Sequence, residues 1–368
     1  MRIAVLYTGA LRTIKGTIEF FKKNVLHSNP QNTVDVFATI QNDSTQSDEE
    51  WEKYLTHHLQ TNLKSLTWFD RNSTAWITLR ENLLTDMQIS DRWKDYLRTS
   101  GSMIEYYQMS KSYEAMEQAE SVERHSASRA PLSSCTSVAA ATASAPPSRY
   151  DYIIRCRTDT VIAKPIDFNW LQLSTADITN RLYQINKHLN IAEGELKDHE
   201  ENTKKIIKCF FNTLYHPDMA RDEWLSRHKD FIYHSVLHST HFEPITHFDP
   251  SAPELFVEKL KDFIQKENYI LVLRANIFYI CKRDYFSNIA KLGYDYGKYP
   301  PSNAQDEYWF NAESQFQKSC TASNLSFFSY ETNFEGSSLY AYNHENYFEH
   351  DYTLNNYNFI YFLMRYLH

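Results

Sequence analysis

Two arginines and an aspartate follow an apolar run near the middle of the chain: Tyr150-Asp151-Tyr152-Ile153-Ile154-Arg155-Cys156-Arg157-Thr158-Asp159-Thr160-Val161-Ile162. Residues 150–154 read as a short buried strand. A charged cluster at the end of a buried strand is unfavourable unless something compensates it. A divalent metal together with a diphosphate would compensate both signs at once. Asp159 is a hard oxygen ligand of the kind Mn²⁺ or Mg²⁺ takes. Arg155 and Arg157 carry the planar fork suited to phosphate or carboxylate. The alternative is a strand-end ion pair between Asp159 and an arginine, which calls for no ligand.

Other residues have chemistry to offer. Thr8-Gly9-Ala10-Leu11-Arg12 follows the first apolar run, and in a parallel α/β sheet ligands bind beyond the carboxyl ends of strands. Gly9 would let the backbone approach a base or ribose, and Arg12 would reach phosphate near a helix N-terminus; an ordinary strand-to-helix turn is the plainer reading. No Gly-x-Gly-x-x-Gly fingerprint is present. Asp35, on the second strand, is placed to accept a hydrogen bond from a base or simply to face solvent. Asp306 and Glu307 fall in the first turn of a helix expected to start after Asn303, where the helix dipole alone favours acids. His234, His238, His241 and His247 crowd one segment; the i,i+4 pair lacks the glutamate of a zinc hydrolase, so packed or solvated histidines are the simpler account.

The elements that must position these groups are legible as patterns. Residues 2–7, 34–38, 66–69, 269–273 and 276–281 read as strands. Residues 14–26 carry Ile14, Ile18, Phe21 and Val25 at helical spacing, so the chain opens as a β-α-β unit of a parallel sheet. Ser102-Met103-Ile104-Glu105 reads as a capping box before a helix presenting Met103, Tyr106, Tyr107, Ser110, Tyr113 and Met116 on one face, fading after about residue 117. Residues 126–148 are rich in Ala, Ser and Pro and read as a disordered insertion. A capping box at 251–254 opens a helix to about Lys266, and a helix over 284–292 is expected to stop at Gly293.

Composition narrows the class. The chain has 368 residues, of which 42% are hydrophobic and 15% aromatic, enough for a large core. A net charge of −8 argues against a nucleic-acid partner. No apolar run approaches the length of a membrane span. The five cysteines (Cys135, Cys156, Cys209, Cys281, Cys320) show neither zinc nor disulfide-scaffold spacing; free thiols and a cytoplasmic location are expected.

The order strand-Gly-x-x-Arg, βαβ, aromatic helix, Arg-Cys-Arg-Thr-Asp, and a late Gln-Asp-Glu-Tyr-Trp-Phe resembles GT-A-type nucleotide-sugar glycosyltransferases, especially the soluble ones of capsular polysaccharide loci and large DNA viruses. The resemblance covers roughly residues 1–168 and the short later motif. It implies an α/β, GT-A-like mixed, mainly parallel sheet flanked by helices, in a single domain. Residues 1–168 would be the nucleotide-sugar half and 169–368 the acceptor half. It also implies a UDP- or GDP-sugar donor, a glycan acceptor and Mn²⁺ or Mg²⁺. Aligned with the family's Asp-x-Asp motif, Asp159 takes the second acidic position, while Arg157 stands at the first. Metal binding would then rest on Asp159, phosphate oxygens and a C-terminal histidine, His344 or alternatively His350; the arginines could instead neutralise the diphosphate directly. Asp306, or next to it Glu307, would be the general base. Two rivals remain: a sugar nucleotidyltransferase, whose glycine-rich, lysine-containing loop is missing, and a non-catalytic carbohydrate-binding or scaffold protein.

Overall fold

The computed structural model describes residues 1–128, 149–162, 165–189, 210–211, 213–214, 237–238, 253–266, 268–274, 277–301, 303, 306–329 and 361–363. Its first strand, β1 (Arg2–Ala10), lies parallel to β2 (Thr33–Gln41), and β2 lies parallel to β3 (Leu63–Trp68). Between them run α1 (Ile14–Phe21), which continues as a π turn to Leu26, and α2 (Asp48–Leu59). Three helices follow: α3 (Thr74–Asp86), α4 (Asp91–Thr99) and the long α5 (Ser102–Ser128). The chain then returns to the other side of β1 as β4 (Tyr152–Arg157), parallel to it, and turns into the short β5 (Thr160–Ile162).

After α6 (Thr175–Leu189), the two-residue β6 (Leu237–His238) and α7 (Pro253–Lys266), the sheet is extended by β7 (Tyr269–Arg274) and β8 (Phe278–Lys282). Then come α8 (Arg283–Ala290), α9 (Leu292–Asp295), α10 (Ala312–Ala322) and β9 (Ser326–Ser329). The strand order is β3-β2-β1-β4-β8-β7-β9-β6, and β10 (Tyr361–Leu363) pairs separately with β5. Four of the seven pairings in the large sheet are parallel, so the fold is the expected α/β class: a mixed, mainly parallel sheet flanked by helices.

Both faces of the sheet are covered, which is why its strands are continuously apolar. On β1, Ile3, Val5 and Tyr7 point into a core shared with α1, α2, α6 and α7, while Ala4 and Leu6 point into one shared with α3, α5, α8 and α10. Residues from both expected halves line each core, and β4 pairs directly with β8.

Several local expectations change. β4 runs on through Arg157, so both arginines are strand residues. Helix α5 does not fade at residue 117 but continues to Ser128. Its later acids are used: Glu117 and Glu120 bind Arg283, and Glu123 binds Arg2. Residues 129–148 of the expected insertion lie outside the described residues. Gly293 stops no helix; it lies in α9 against α5, where an added Cβ would stand 2.1 Å from the Ser110 hydroxyl oxygen and 2.6 Å from the Tyr106 carbonyl oxygen. The helix expected from residue 304 begins instead at Ala312, capped by Asn311, whose side chain accepts from the Ser314 N–H at 2.8 Å. Ala312, Phe316 and Cys320 form a buried i,i+4 stripe there, whereas Trp309 and Phe310 are adjacent and define no helical face.

Candidate functional site

The sheet has a topological switch point. From β1 the chain moves outward to β2 and β3, then returns to the other side of β1 as β4. The crevice beyond the carboxyl ends of β1 and β4 is where open α/β sheets bind ligands. Register places Thr8 beside Arg157 at this edge.

The two strand ends are fastened to each other. The Thr158 N–H donates to the Thr8 carbonyl at 2.9 Å, the Thr158 hydroxyl to the Ala10 carbonyl at 2.8 Å, and the Thr17 hydroxyl to the Thr158 carbonyl at 2.5 Å. Gly9 sits against this turn with φ +140°, and the Gln108 amide of α5 donates to its carbonyl at 3.0 Å. An L side chain at Gly9 would be strained by that φ and would collide with Thr158.

The charged residues form one cluster. Arg157 donates through Nε to Asp159 Oδ1 at 2.8 Å and through Nη2 to Asp159 Oδ2 at 2.5 Å. Its Nη1 donates to Glu105 Oε1, on the first turn of α5, at 2.7 Å. Arg155 lies two residues back on the same face, and its side chain is only 1% exposed. Its Nη2 is 3.8 Å from Glu105 Oε2, too far for a hydrogen bond. Arg155 Nη1 and Glu105 Oε2 are both buried without a hydrogen-bond partner. The expected capping role of Glu105 is therefore replaced by a shared position between two arginines.

The electrostatics follow from this packing. Burial would raise the Asp159 carboxyl, but Arg157, Arg12 and Arg155 outweigh it and hold the carboxyl below its usual range. For Glu105 burial wins: its carboxyl is pushed up, against the pull of Arg157 and Arg155 and with the push of Asp159 and Glu313. Two carboxylates on one guanidinium are thus biased in opposite directions.

The structure therefore gathers Thr8, Gly9, Ala10, Arg12, Arg155, Arg157 and Asp159 at one edge. Leu11 is buried in the core on the α1 face and does not line the crevice. Asp35 is not gathered either. It pairs with Ala4 whereas Thr39 pairs with Thr8, placing it about 13 Å towards the amino ends of the strands. Nor is it an exposed strand residue: it is 3% exposed, accepts from the Tyr150 hydroxyl at 2.8 Å, and pairs with Arg2 and Lys64. Asp306 lies in a turn before α10 and accepts from Lys318 Nζ at 2.5 Å, while Glu307 is exposed. Neither has a described contact with the arginine cluster. His234, His241, His247, His344 and His350 lie outside the described residues, and of His238 only the backbone is described.

The described residues do not fit Mn²⁺ or Mg²⁺. Both oxygens of Asp159 accept from Arg157, whose positive charge would repel a dication, and no group of three His, Cys, Asp or Glu able to hold a metal occurs among the described residues. Cys156, Cys281 and Cys320 are free and buried, and no helix among the described residues is long and apolar enough to cross a membrane.

Two contributors escaped the sequence reading: Glu105, a long-range partner hidden inside a capping pattern, and Thr158, which ties β4 to β1. No protein family, curated protein or solved structure matches the chain.

Proposed function

We propose that the protein is a glycosyltransferase that uses a nucleotide-diphosphate sugar and holds the diphosphate chiefly with arginines. The observation that carries this reading is the placement of Arg157 and Arg12 at the carboxyl ends of β1 and β4, with the buried Arg155 behind them. Glycosyl transfer breaks the bond between the anomeric carbon and the diphosphate oxygen, and the diphosphate leaves with the electron pair. An acceptor hydroxyl oxygen forms the new bond and passes its proton to a general base. Arginines preorganised where negative charge develops lower the barrier to that departure. The Arg157 side chain is 13% exposed, and Arg12 is exposed.

The expected metal is not needed for this chemistry, because guanidinium groups perform the charge stabilisation directly. Saturation of Arg157 by Glu105 and Asp159 favours one rival, a non-catalytic binding protein with an internally neutralised site. Titration calorimetry with UDP, GDP and their sugars, with and without Mn²⁺, and an assay for nucleoside diphosphate release separate the two. The transferase reading expects saturable binding and release of nucleoside diphosphate in the presence of a glycan acceptor. Binding without any turnover would favour the rival, and no binding to any of these compounds would remove the donor site altogether.

A further inference from the structure

Within the cluster, Arg157 is well satisfied and Arg155 is not. Arg157 gives hydrogen bonds to Asp159 through two nitrogens and to Glu105 through the third. Arg155 is a buried cation with an unpartnered Nη1, and the one acid in ion-pair range of it among the described residues is Glu105 at 3.8 Å. Glu105 Oε2, the oxygen nearer to Arg155, also lacks a partner. Buried charged groups without hydrogen bonds are strongly unfavourable. The cluster therefore holds an unmade bond between Glu105 and Arg155 beside a made one between Glu105 and Arg157.

Resting on the diphosphate-site reading above, we propose that Glu105 is a movable counter-ion that passes from Arg157 to Arg155 when a diphosphate takes its place on Arg157. In the free protein the Glu105 carboxylate occupies the Arg157 Nη1 that an incoming phosphate oxygen requires. Arg155 lies on the same face of β4, one residue pair deeper, and can accept the displaced carboxylate as a hydrogen-bonded ion pair. Glu105 sits in the first turn of α5, and its side chain is 16% exposed. It is the middle and most accessible member of the Arg155–Glu105–Arg157 chain, whose arginines are 1% and 13% exposed, so the movement is assigned to Glu105 and not to the buried Arg155. The groups facing Glu105 are Arg155 and Arg157 on β4, Asp159 in the following turn, Glu313 on α10, and the tyrosines Tyr279 and Tyr296. Glu105 thus competes with the ligand while Arg155 assists binding without touching it.

This arrangement predicts effects of opposite sign for two neighbouring side chains, tested by calorimetric titration of the full chain with inorganic pyrophosphate. Glu105→Gln removes the competing charge and is expected to bind about tenfold tighter. Arg155→Met removes the second resting place and is expected to bind about tenfold weaker. In the Glu105→Gln background, Arg155→Met should change affinity by less than about twofold, because no carboxylate remains to be passed on. Glu105→Asp, which retracts the carboxylate and keeps its charge, is a second route should the glutamine variant fail to fold; it should also bind more tightly. Unchanged or weaker binding by whichever Glu105 variants fold overturns the proposal. So does an Arg155→Met loss of the same size in both backgrounds, which would mark Arg155 as a direct ligand contact. If the parent and all folded variants bind neither pyrophosphate nor a nucleotide sugar, the donor site itself fails, and this proposal with it.

Discussion

Gly9 and Thr158 approach so closely that a Cβ on Gly9 would stand 2.2 Å from the threonine hydroxyl oxygen. The contact joins the ends of β1 and β4 at the edge proposed for the donor. Gly9 also has φ +140°, so an alanine there meets both backbone strain and a clash. Gly9→Ala is expected to destabilise the fold by roughly 2–4 kcal/mol. Removing the obstacle with Thr158→Ala should recover part of this, although that change alone loses the bond to the Ala10 carbonyl, worth about 1 kcal/mol. Urea denaturation of the two single variants and the double variant measures the coupling; strict additivity would show that the contact is not what Gly9 is there for.

The carboxylates of Asp159 and Glu105 should leave opposite marks on stability against pH. The Asp159 carboxyl is held below its ordinary value, so its contribution is present above the unfolded pKa of about 3.9 and is lost as pH falls through the folded value. The Glu105 carboxyl is raised, so its contribution is present below the unfolded pKa of about 4.3 and is lost as pH rises through the folded value. Asp159→Asn should therefore flatten the acid limb below about pH 4. Glu105→Gln should change the slope above that point instead. Denaturant titrations from acid to neutral pH read both slopes, and identical profiles for the two variants would contradict the opposed environments.

The fold was more legible than the site, for physical reasons visible in particular residues. Ile3 to Tyr7 and Ile153 to Ile154 are apolar because both faces of their strands are buried, a local pattern a sequence displays directly. Arg155, Arg157 and Asp159 stood out because charge at the end of such a run demands a partner. Glu105 did not, because its partners are 50 and 52 residues away in sequence and Ser-x-x-Glu before an aromatic helix already has a local explanation. Asp35 illustrates the converse: alternation places it on β2, but only the sheet register reveals that it lies at the amino ends. Asn303 and Asn311 both precede acids, so the start of α10 turned on which following stripe could be buried.

Donor binding should not depend on a divalent ion. With both Asp159 oxygens accepting from Arg157, chelation by EDTA is expected to leave pyrophosphate affinity within about twofold. Arg157→Met should lower it by on the order of 100-fold, because a buried charge-assisted contact is lost. Calorimetry with EDTA, Mn²⁺ or Mg²⁺ makes the comparison. A tenfold gain on adding metal would show that Asp159 exchanges Arg157 for the ion.

Asp306 is expected to act on local stability, not on the donor. Its carboxylate accepts from Lys318, and both side chains are partly exposed. Asp306→Asn should therefore cost no more than about 1 kcal/mol and leave pyrophosphate affinity within about twofold. Single-turnover transfer decides whether it has a second role: a general base contributes typically about 10²- to 10⁴-fold, so a loss in that range with unchanged donor affinity would place the acceptor hydroxyl beside Asp306. A rate within about twofold of the parent would exclude Asp306 as that base.

Gly293 offers a test of how the site depends on helix α5. Its missing Cβ admits α9 against that helix, and two of the three atoms closest to an added Cβ are backbone: the Tyr106 carbonyl oxygen at 2.6 Å and the Tyr107 Cα at 2.8 Å. Ser110 supplies the third and also donates its hydroxyl to the carbonyls of Tyr106 and Ala290. Gly293→Ala must therefore shift one helix relative to the other, at roughly 1–3 kcal/mol. Unlike the Gly9 clash, this one should not be relieved by trimming the facing side chain, because the backbone atoms remain. Gly293→Ala with Ser110→Gly is expected to be no more stable than Gly293→Ala alone. Because α5 carries Glu105 and Gln108 to the edge proposed for the donor, the same shift should alter pyrophosphate affinity measurably. Rescue of stability by Ser110→Gly would show that the hydroxyl alone was the obstacle. Unchanged affinity in a destabilised Gly293→Ala protein would show that Glu105 holds its place independently of how α5 is seated.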